Sequence, residues 1–171
     1  MTENEAPWRL EVLRPLPRIL RGGEEITLGE RGGVSLAVAV YLILTRNRET
    51  RRQDLVELFR GKPGGGLDRD RLRRIIHTLK QTFGPAAITT TKETLQWQFP
   101  IVTDADELLA MRPEGPADPE LPLYGGDFIS DWEKVSHAGR FGAWIRERRE
   151  EYRARAFHLL DARARLSRDE A

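Results

Sequence analysis

The sequence predicts an α+β fold in which a small antiparallel sheet, three helices and a β-hairpin follow one another and lead into a helical segment. Apolar and polar residues alternate in short runs near the N-terminus and again before residue 100, as they do in strands. Between these runs, apolar residues recur at helical spacing. A proline-rich stretch at 112–122 precedes a long stretch without proline, so we predict two domains, 1–101 and 102–171.

The N-terminal sheet is predicted from alternation at Trp8, Leu10 and Val12, and from a second alternating run that follows the turn "RGGEE". The next apolar run, Val34 to Leu44, is rich in β-branched residues, which favours a strand. Its length favours a helix instead, because most strands are shorter. We predict a buried helix.

Two more helices are predicted from their start and stop signals. Thr50, with Gln53 three residues later, has the form of a capping box at the start of "TRRQDLVELF". Asp68 is a suitable N-cap for the third helix, because its carboxylate accepts from free N–H groups of the first turn. Gly84 and Pro85 predict where that helix ends.

The hairpin and the last helix complete the expected order. Leu95, Trp97 and Phe99 alternate with polar residues after "AITTTKE", which predicts a hairpin with its tip near Lys92. From Gly139 to about Arg168 the sequence predicts one long helix. Small sheet, three helices and hairpin together indicate a winged helix, and a helical segment follows.

Charge is distributed unevenly along this nearly neutral chain of 28 basic and 27 acidic residues. Residues 1–100 contain 17 basic and 12 acidic residues, whereas residues 101–171 contain 11 and 15. The stretch "DRDRLRR" alone holds four arginines. On a helix, the apolar residues of 69–83 form one stripe and the basic residues form the opposite face.

This basic face has two interpretations. Any surface helix has charged residues opposite its apolar stripe, but a merely solvated face usually mixes signs, and here Asp70 is the one acid between Arg69 and Lys80. We therefore predict that the third helix binds DNA. The residues expected at base edges or nearby phosphates are Arg73, Arg74, His77, Thr78 and Gln81, and those expected on the DNA backbone are Arg69, Arg71, Lys80 and Lys92.

Other chemistry has little support in the sequence. The absence of cysteine excludes disulfides and thiolate metal sites, and no two of the three histidines stand at ligand spacing. Because no catalytic or nucleotide-binding motif is present, we expect neither an enzyme nor a cofactor. The longest apolar run, "VSLAVAVYLIL", is too short for a membrane span, and no signal peptide precedes it, so we expect a cytoplasmic protein with no membrane partner.

Several motifs resemble one family of bacterial regulators. "WRLEVLRPL", "ITLGERGG", "TRRQDLVELF" and "RLRRIIHTLKQTFG" resemble the winged-helix DNA-binding domain of antibiotic-regulatory-protein-type transcriptional activators. "LYGGDFISDW" and "WIRERREEY" resemble the opening of the bacterial transcriptional activator domain, a tetratricopeptide-like helical module that follows it in that family. The second helix ends in Leu58-Phe59, where the family commonly has Leu-Trp, and the loop "GKPGGGLD" lacks the usual acidic and proline pattern.

The resemblance implies a transcriptional regulator, and an activator in particular, that binds double-stranded DNA. RNA polymerase is a possible further partner through the loop before the third helix. From the apolar stripe around Phe157, Leu159 and Leu160 we expect either a homodimer through residues 152–168 or docking of a further C-terminal helical region. The alternative function is a protein-interaction module in which the winged helix does not bind DNA.

Overall fold

A computed structural model of the chain describes residues 6–28, 33–60, 66–113, 126–132 and 139–169. Over these residues the structure is mixed α+β, with two small sheets and five helices. The strands are β1 (Trp8–Glu11), β2 (Arg18–Arg21), β3 (Glu24–Ile26), β4 (Thr50–Arg51), β5 (Ile88–Thr90), β6 (Thr94–Trp97) and β7 (Val102–Thr103). The helices are α1 (Val34–Leu44), α2 (Arg52–Leu58), α3 (Arg69–Phe83), α4 (Asp104–Ala110) and α5 (Arg140–Asp169).

The first sheet has the strand order β3-β2-β1-β7. Its three N-terminal strands pair antiparallel, as predicted, and Leu10 of β1 lies opposite Ile19 of β2. Both side chains are fully buried, so this face of the sheet packs on the core. The sequence did not predict β7, which adds to β1 in parallel through the pairs Arg9–Val102 and Leu10–Thr103.

The second sheet has the order β4-β6-β5 and contains the predicted hairpin. The capping box predicted at Thr50 is wrong, because Thr50 lies in β4 opposite Leu95 and is buried. The N-cap of α2 is Arg51, whose side chain makes no capping hydrogen bond. The start of α2 is fixed instead by the sheet, since the N–H of Arg52 donates to the carbonyl of Glu93 over 2.8 Å.

Helices α1 and α3 match their predictions. Helix α1 runs from Val34 to Leu44 and most of its residues are buried, so length was the right criterion for this run. Helix α3 begins after Asp68, whose carboxylate accepts from the N–H of Arg71 over 2.7 Å, and it ends at Gly84, which has a φ of 102°. The predicted apolar stripe of α3 is buried throughout: Leu72, Ile75, Ile76, Leu79 and Phe83.

Helix α4, which was not predicted from the sequence, anchors the turn after β1. The Asp104 carboxylate accepts from the N–H groups of Val12 and Leu13, each over 2.9 Å. Burial raises the pKa of Asp104 above its usual value, although these backbone hydrogen bonds act in the opposite direction. The guanidinium of Arg9 on β1 also holds Glu107 of α4 with two hydrogen bonds of 2.7 and 2.8 Å.

The first turns of α5 pack on α1 and on the end of α2 through aromatic rings. The Phe59 and Phe141 rings have centroids 4.5 Å apart, and the Tyr41 and Trp144 centroids are 5.0 Å apart. The buried residues on both sides of residue 101 belong to one core cluster. The domain boundary at that position stays a prediction.

Some predictions fall partly outside the described residues. Within the motif "LYGGDFISDW", Phe128 is buried, whereas Tyr124 lies outside the described residues. So do most of the glycine-rich loop and of the proline-rich stretch. The apolar stripe from which self-association was predicted is only partly exposed: Leu159 is fully buried, whereas Phe157 and Leu160 are 75% and 51% exposed.

Candidate nucleic-acid interface

The exposed face of α3 carries the predicted polar and basic side chains. Because its apolar stripe packs inward, residues three and four positions apart on the other side line one surface. Arg73 is 82% exposed on this surface. The others of the predicted set that are exposed there are Arg69, Arg74, His77 and Gln81, while Arg71, Thr78 and Lys80 are half-buried at its edges.

The acids of α2 and α3 compensate this face only weakly. Asp70 approaches Arg73 at 3.5 Å, but both side chains are 82% exposed, so the pair is weak. Asp68 is used as the helix cap. Glu57 of α2 pairs over 2.8 Å with Arg60, which lies just after that helix, and not with α3. Among the described residues, the acids of α2 and α3 therefore do not neutralise the face.

The hairpin between β5 and β6 turns at Lys92 and Glu93, as predicted. The N–H of Thr91 donates to the carbonyl of Thr94 over 3.0 Å, which closes a two-residue turn. The Thr91 hydroxyl oxygen accepts from the N–H groups of both Glu93 and Thr94. This network fixes the tip, so that the exposed Lys92 side chain projects from an ordered turn.

The hairpin lies directly beside α3. The Lys80 ammonium is 3.5 Å from the hydroxyl oxygen of Thr90, the last residue of β5. The exposed side of α3 and the hairpin tip with Lys92 are therefore parts of one continuous region. A helix with an adjacent hairpin that carries a cation has the shape needed to occupy a groove of duplex DNA and contact the flanking phosphates.

Local hydrogen bonds distinguish the predicted base-contacting residues from one another. The Thr78 hydroxyl donates to the carbonyl of Arg74, one turn earlier, over 3.2 Å and is half-buried. It is therefore less available to a ligand than its neighbours. Arg73, Arg74, His77 and Gln81 are exposed and offer hydrogen-bond donors at successive turns of α3.

Two arginines that the sequence prediction did not include also belong to this region. Arg51 of β4 lies opposite Thr94 and is exposed. Arg52 donates from Nε to the carbonyl of Thr91 over 3.2 Å, so its side chain connects the start of α2 to the hairpin turn. The "TRRQD" stretch contains the basic pair that could have signalled them, but its proximity to the hairpin depends on the β4–β6 pairing.

Other kinds of site find no support in the described part of the chain. No group of three or more histidine and acidic side chains within it is placed to hold a metal ion. In the same ranges, no helix has both the length and the apolar character that crossing a lipid bilayer requires.

The interface described here is therefore an exposed basic helix face joined to a hairpin that carries a cation. The sequence matches no model of a known protein family and no curated protein.

Proposed function

We propose that this protein is a sequence-specific, double-stranded DNA-binding transcriptional regulator of the winged-helix type. Helix α3 acts as the recognition helix and the β5–β6 hairpin acts as the wing. One observation carries the proposal: the exposed face of α3 is basic along its length, and its one acid, Asp70, forms only an exposed pair with Arg73. Such a face favours a polyanion with a groove that fits a helix.

Residue roles follow from position along α3 and from exposure. We assign Arg73, Arg74, His77 and Gln81 to base edges, because they are exposed on the outer side of the helix. Arginine donates two hydrogen bonds to guanine, and glutamine pairs in the same way with adenine. The remaining predicted cations, Arg69, Arg71, Lys80 and Lys92, neutralise phosphates, and Arg51 joins them at the wing.

The helical segment supplies a second, protein-binding part of the regulator. Residues 101–171 contain 11 basic and 15 acidic residues, and this net negative charge makes the segment a poor partner for DNA. The motif resemblance assigns it to the start of a tetratricopeptide-like activator module, and RNA polymerase is proposed as a partner of the loop before α3. These assignments, together with activation as the direction of regulation, are part of the proposal.

The rival function is a protein-interaction module without DNA binding. The observation that favours it is the exposed apolar pair Phe157 and Leu160 on α5. Neutralisation of the α3 face by acids would also have favoured it. Glu57 is instead paired with Arg60, and Asp70 is the one acid of α3, so the charge distribution favours DNA.

The proposal is tested by selecting binding sites from a pool of random duplex DNA with the intact chain. Enriched sequences that share a motif, bound at least about a thousandfold more tightly than unrelated duplex, are the expected result. Arg60→Ala is a matched control, because Arg60 is 71% exposed but lies outside the α3 face. Equal, weak binding to all sequences would overturn sequence specificity, and no binding at low salt would overturn the function.

A further inference from the structure

An exposed apolar patch lies on the second half of α5, on the side turned away from the core. Phe157 is 75% exposed and Leu160 is 51% exposed. The residues that α5 turns toward the rest of the chain, Tyr152, Ala156 and Leu159, are buried. The helix therefore has one packed side and one bare apolar side, and the bare side is centred on the largest of these exposed residues.

Charged residues are arranged symmetrically about this patch. Glu147 and Glu150 precede Phe157 by ten and seven residues, and Arg165 and Arg168 follow it by eight and eleven. At about 100° per residue, all four lie within about 80° of Phe157 and on the same side of it. Glu147, Glu150 and Arg165 are 70%, 74% and 72% exposed. Arg146 and Arg153 before Phe157 and Asp161 after it also lie on this face, so each half of the face contains both signs. Across Phe157, opposite charges nevertheless stand at nearly matched distances: Glu147 and Arg168, Glu150 and Arg165, and Arg153 and Asp161.

We propose that a second copy of this chain covers this face, with the two α5 helices antiparallel and crossing at Phe157. A two-fold axis near Phe157 places residues of equal and opposite distance from it beside each other. Glu150 then faces Arg165 of the partner subunit, and Glu147 faces Arg168 of the partner subunit. Symmetry repeats each pair, so four ion pairs flank one central apolar contact. A parallel arrangement would instead place like charges at the same level.

The ion pairs that these side chains make within their own chain are weak enough to be replaced by pairs with a second copy. Glu150 meets Arg153 at 3.2 Å, and Arg165 meets Asp161 at 2.7 Å, but both are exposed pairs of the kind that contribute little. Ala154 beside the patch is small and exposed, which lets the two helices approach closely. Because the apolar area is small, we expect a weak and reversible dimer. The inference does not depend on DNA binding.

Charge-reversal variants test both the identity of the partner and the antiparallel orientation of the two α5 helices. Glu150 and Arg165 are fifteen residues apart on one helix, about 22 Å, so they cannot pair within a chain. Glu150→Arg and Arg165→Glu should each weaken self-association about tenfold or more, because attractive pairs become repulsive ones. An equimolar mixture of the two variants should restore it, since each unlike pair then has opposite charges again. Sedimentation velocity from about 1 μM to about 1 mM covers the expected range.

Phe157→Ser tests the apolar centre, and Leu109→Ser is its control. Leu109 is 40% exposed on α4, so its change removes an exposed leucine elsewhere. We expect Phe157→Ser to abolish association and Leu109→Ser to preserve it, with unchanged helix content by circular dichroism in both. A wild-type chain that stays monomeric over the whole concentration range overturns the proposal. So does a mixture of charge variants that associates no better than either alone, which would indicate a different partner or a parallel pair.

Discussion

Arg74 is the α3 side chain from which we expect the largest single contribution to DNA recognition. It is exposed at the centre of the basic face and forms no ion pair with a described acid, whereas Arg73 is already close to Asp70. If Arg74 contacts a base, Arg74→Ala should cost about 1–3 kcal/mol and relax the sequence preference at one position. Fluorescence anisotropy with the selected site and its single-base variants measures both effects.

Arg73→Ala and Arg60→Ala complete that experiment. Arg73→Ala should also weaken binding, while Arg60→Ala should leave affinity and preference as in the wild type. If neither Arg73→Ala nor Arg74→Ala changes binding to the selected site, α3 is not the recognition helix.

Asp104 sets a pH dependence of stability that is separate from the DNA surface. Burial raises its pKa, and a carboxyl group with a raised folded-state pKa keeps its proton in the folded chain at pH values where the unfolded chain has lost it. Stability from this residue is therefore greatest below the unfolded value of about 3.8 and falls as the pH rises through the raised folded value. Relative to Asp104→Asn, wild-type stability should decline over that interval and then level off.

Chemical denaturation of both proteins at a series of pH values measures this difference. Asp104→Ala is the structural control, because it leaves the N–H groups of Val12 and Leu13 without their acceptor and should cost about 1–3 kcal/mol at every pH. A constant difference between wild type and Asp104→Asn would show that Asp104 ionises normally in the folded chain.

At the scale of elements, Arg52 joins helix α2 to the hairpin tip. Its Nε donates to the carbonyl of Thr91, and its N–H donates to that of Glu93. Arg52→Ala removes only the side-chain bond. We expect amide exchange at Glu93 and Thr94, whose N–H groups donate to the Thr91 hydroxyl, to accelerate about fivefold, which corresponds to one hydrogen bond of about 1 kcal/mol.

Nuclear magnetic resonance of the free protein measures this exchange without DNA. Arg51→Ala is the control, since it removes the adjacent cation of β4 and leaves both Arg52 hydrogen bonds in place. Equal exchange rates in wild type and Arg52→Ala would mean that the turn holds itself.

The elements that the sequence predicted well are those specified by neighbouring residues. Helix α3 has its cap, Asp68, its stop, Gly84, and its apolar stripe within one short stretch, and all three have the predicted roles. The hairpin tip near Lys92 is likewise defined by a two-residue turn. Such local signals need no knowledge of the remaining chain.

The elements that the sequence did not predict depend on distant partners. Thr50 has a capping pattern with Gln53, but pairing with Leu95 draws it into β4. Strand β7 pairs in parallel with β1, more than ninety residues earlier, and no periodicity announces such a short parallel strand. The two arginines of "TRRQD" were missed at the candidate site for the same reason, because β4–β6 pairing brings them to the hairpin.

At the scale of the whole molecule, aromatic contacts make one core from both predicted domains. Trp144 of α5 lies 5.0 Å from Tyr41 of α1, 5.5 Å from Phe141 and 5.8 Å from Phe128, measured between ring centroids. Trp144→Ala should therefore lower the free energy of unfolding by about 3–5 kcal/mol. Because the core is shared, we expect one unfolding transition in urea, coincident by circular dichroism and fluorescence. Two separate transitions would show that the parts fold independently.

The salt dependence of DNA binding also belongs to the whole molecule, because the net charge is only +1 and cannot itself attract a polyanion. Binding must come from cations gathered on one surface, and the predicted ones are Arg69, Arg71, Arg73, Arg74, Lys80 and Lys92. If about four to six phosphates are neutralised, the logarithm of affinity should fall with the logarithm of salt concentration with a slope near −4 to −5.

Lys92→Ala should reduce the steepness of that slope by about 0.9 and weaken binding to all sequences equally, because a phosphate contact carries no base information. Titrations at five salt concentrations, with the wild type and Lys92→Ala in parallel, give both slopes. A flat response in the wild type would exclude DNA as the ligand, whereas a change of sequence preference in Lys92→Ala without general weakening would place Lys92 at a base instead.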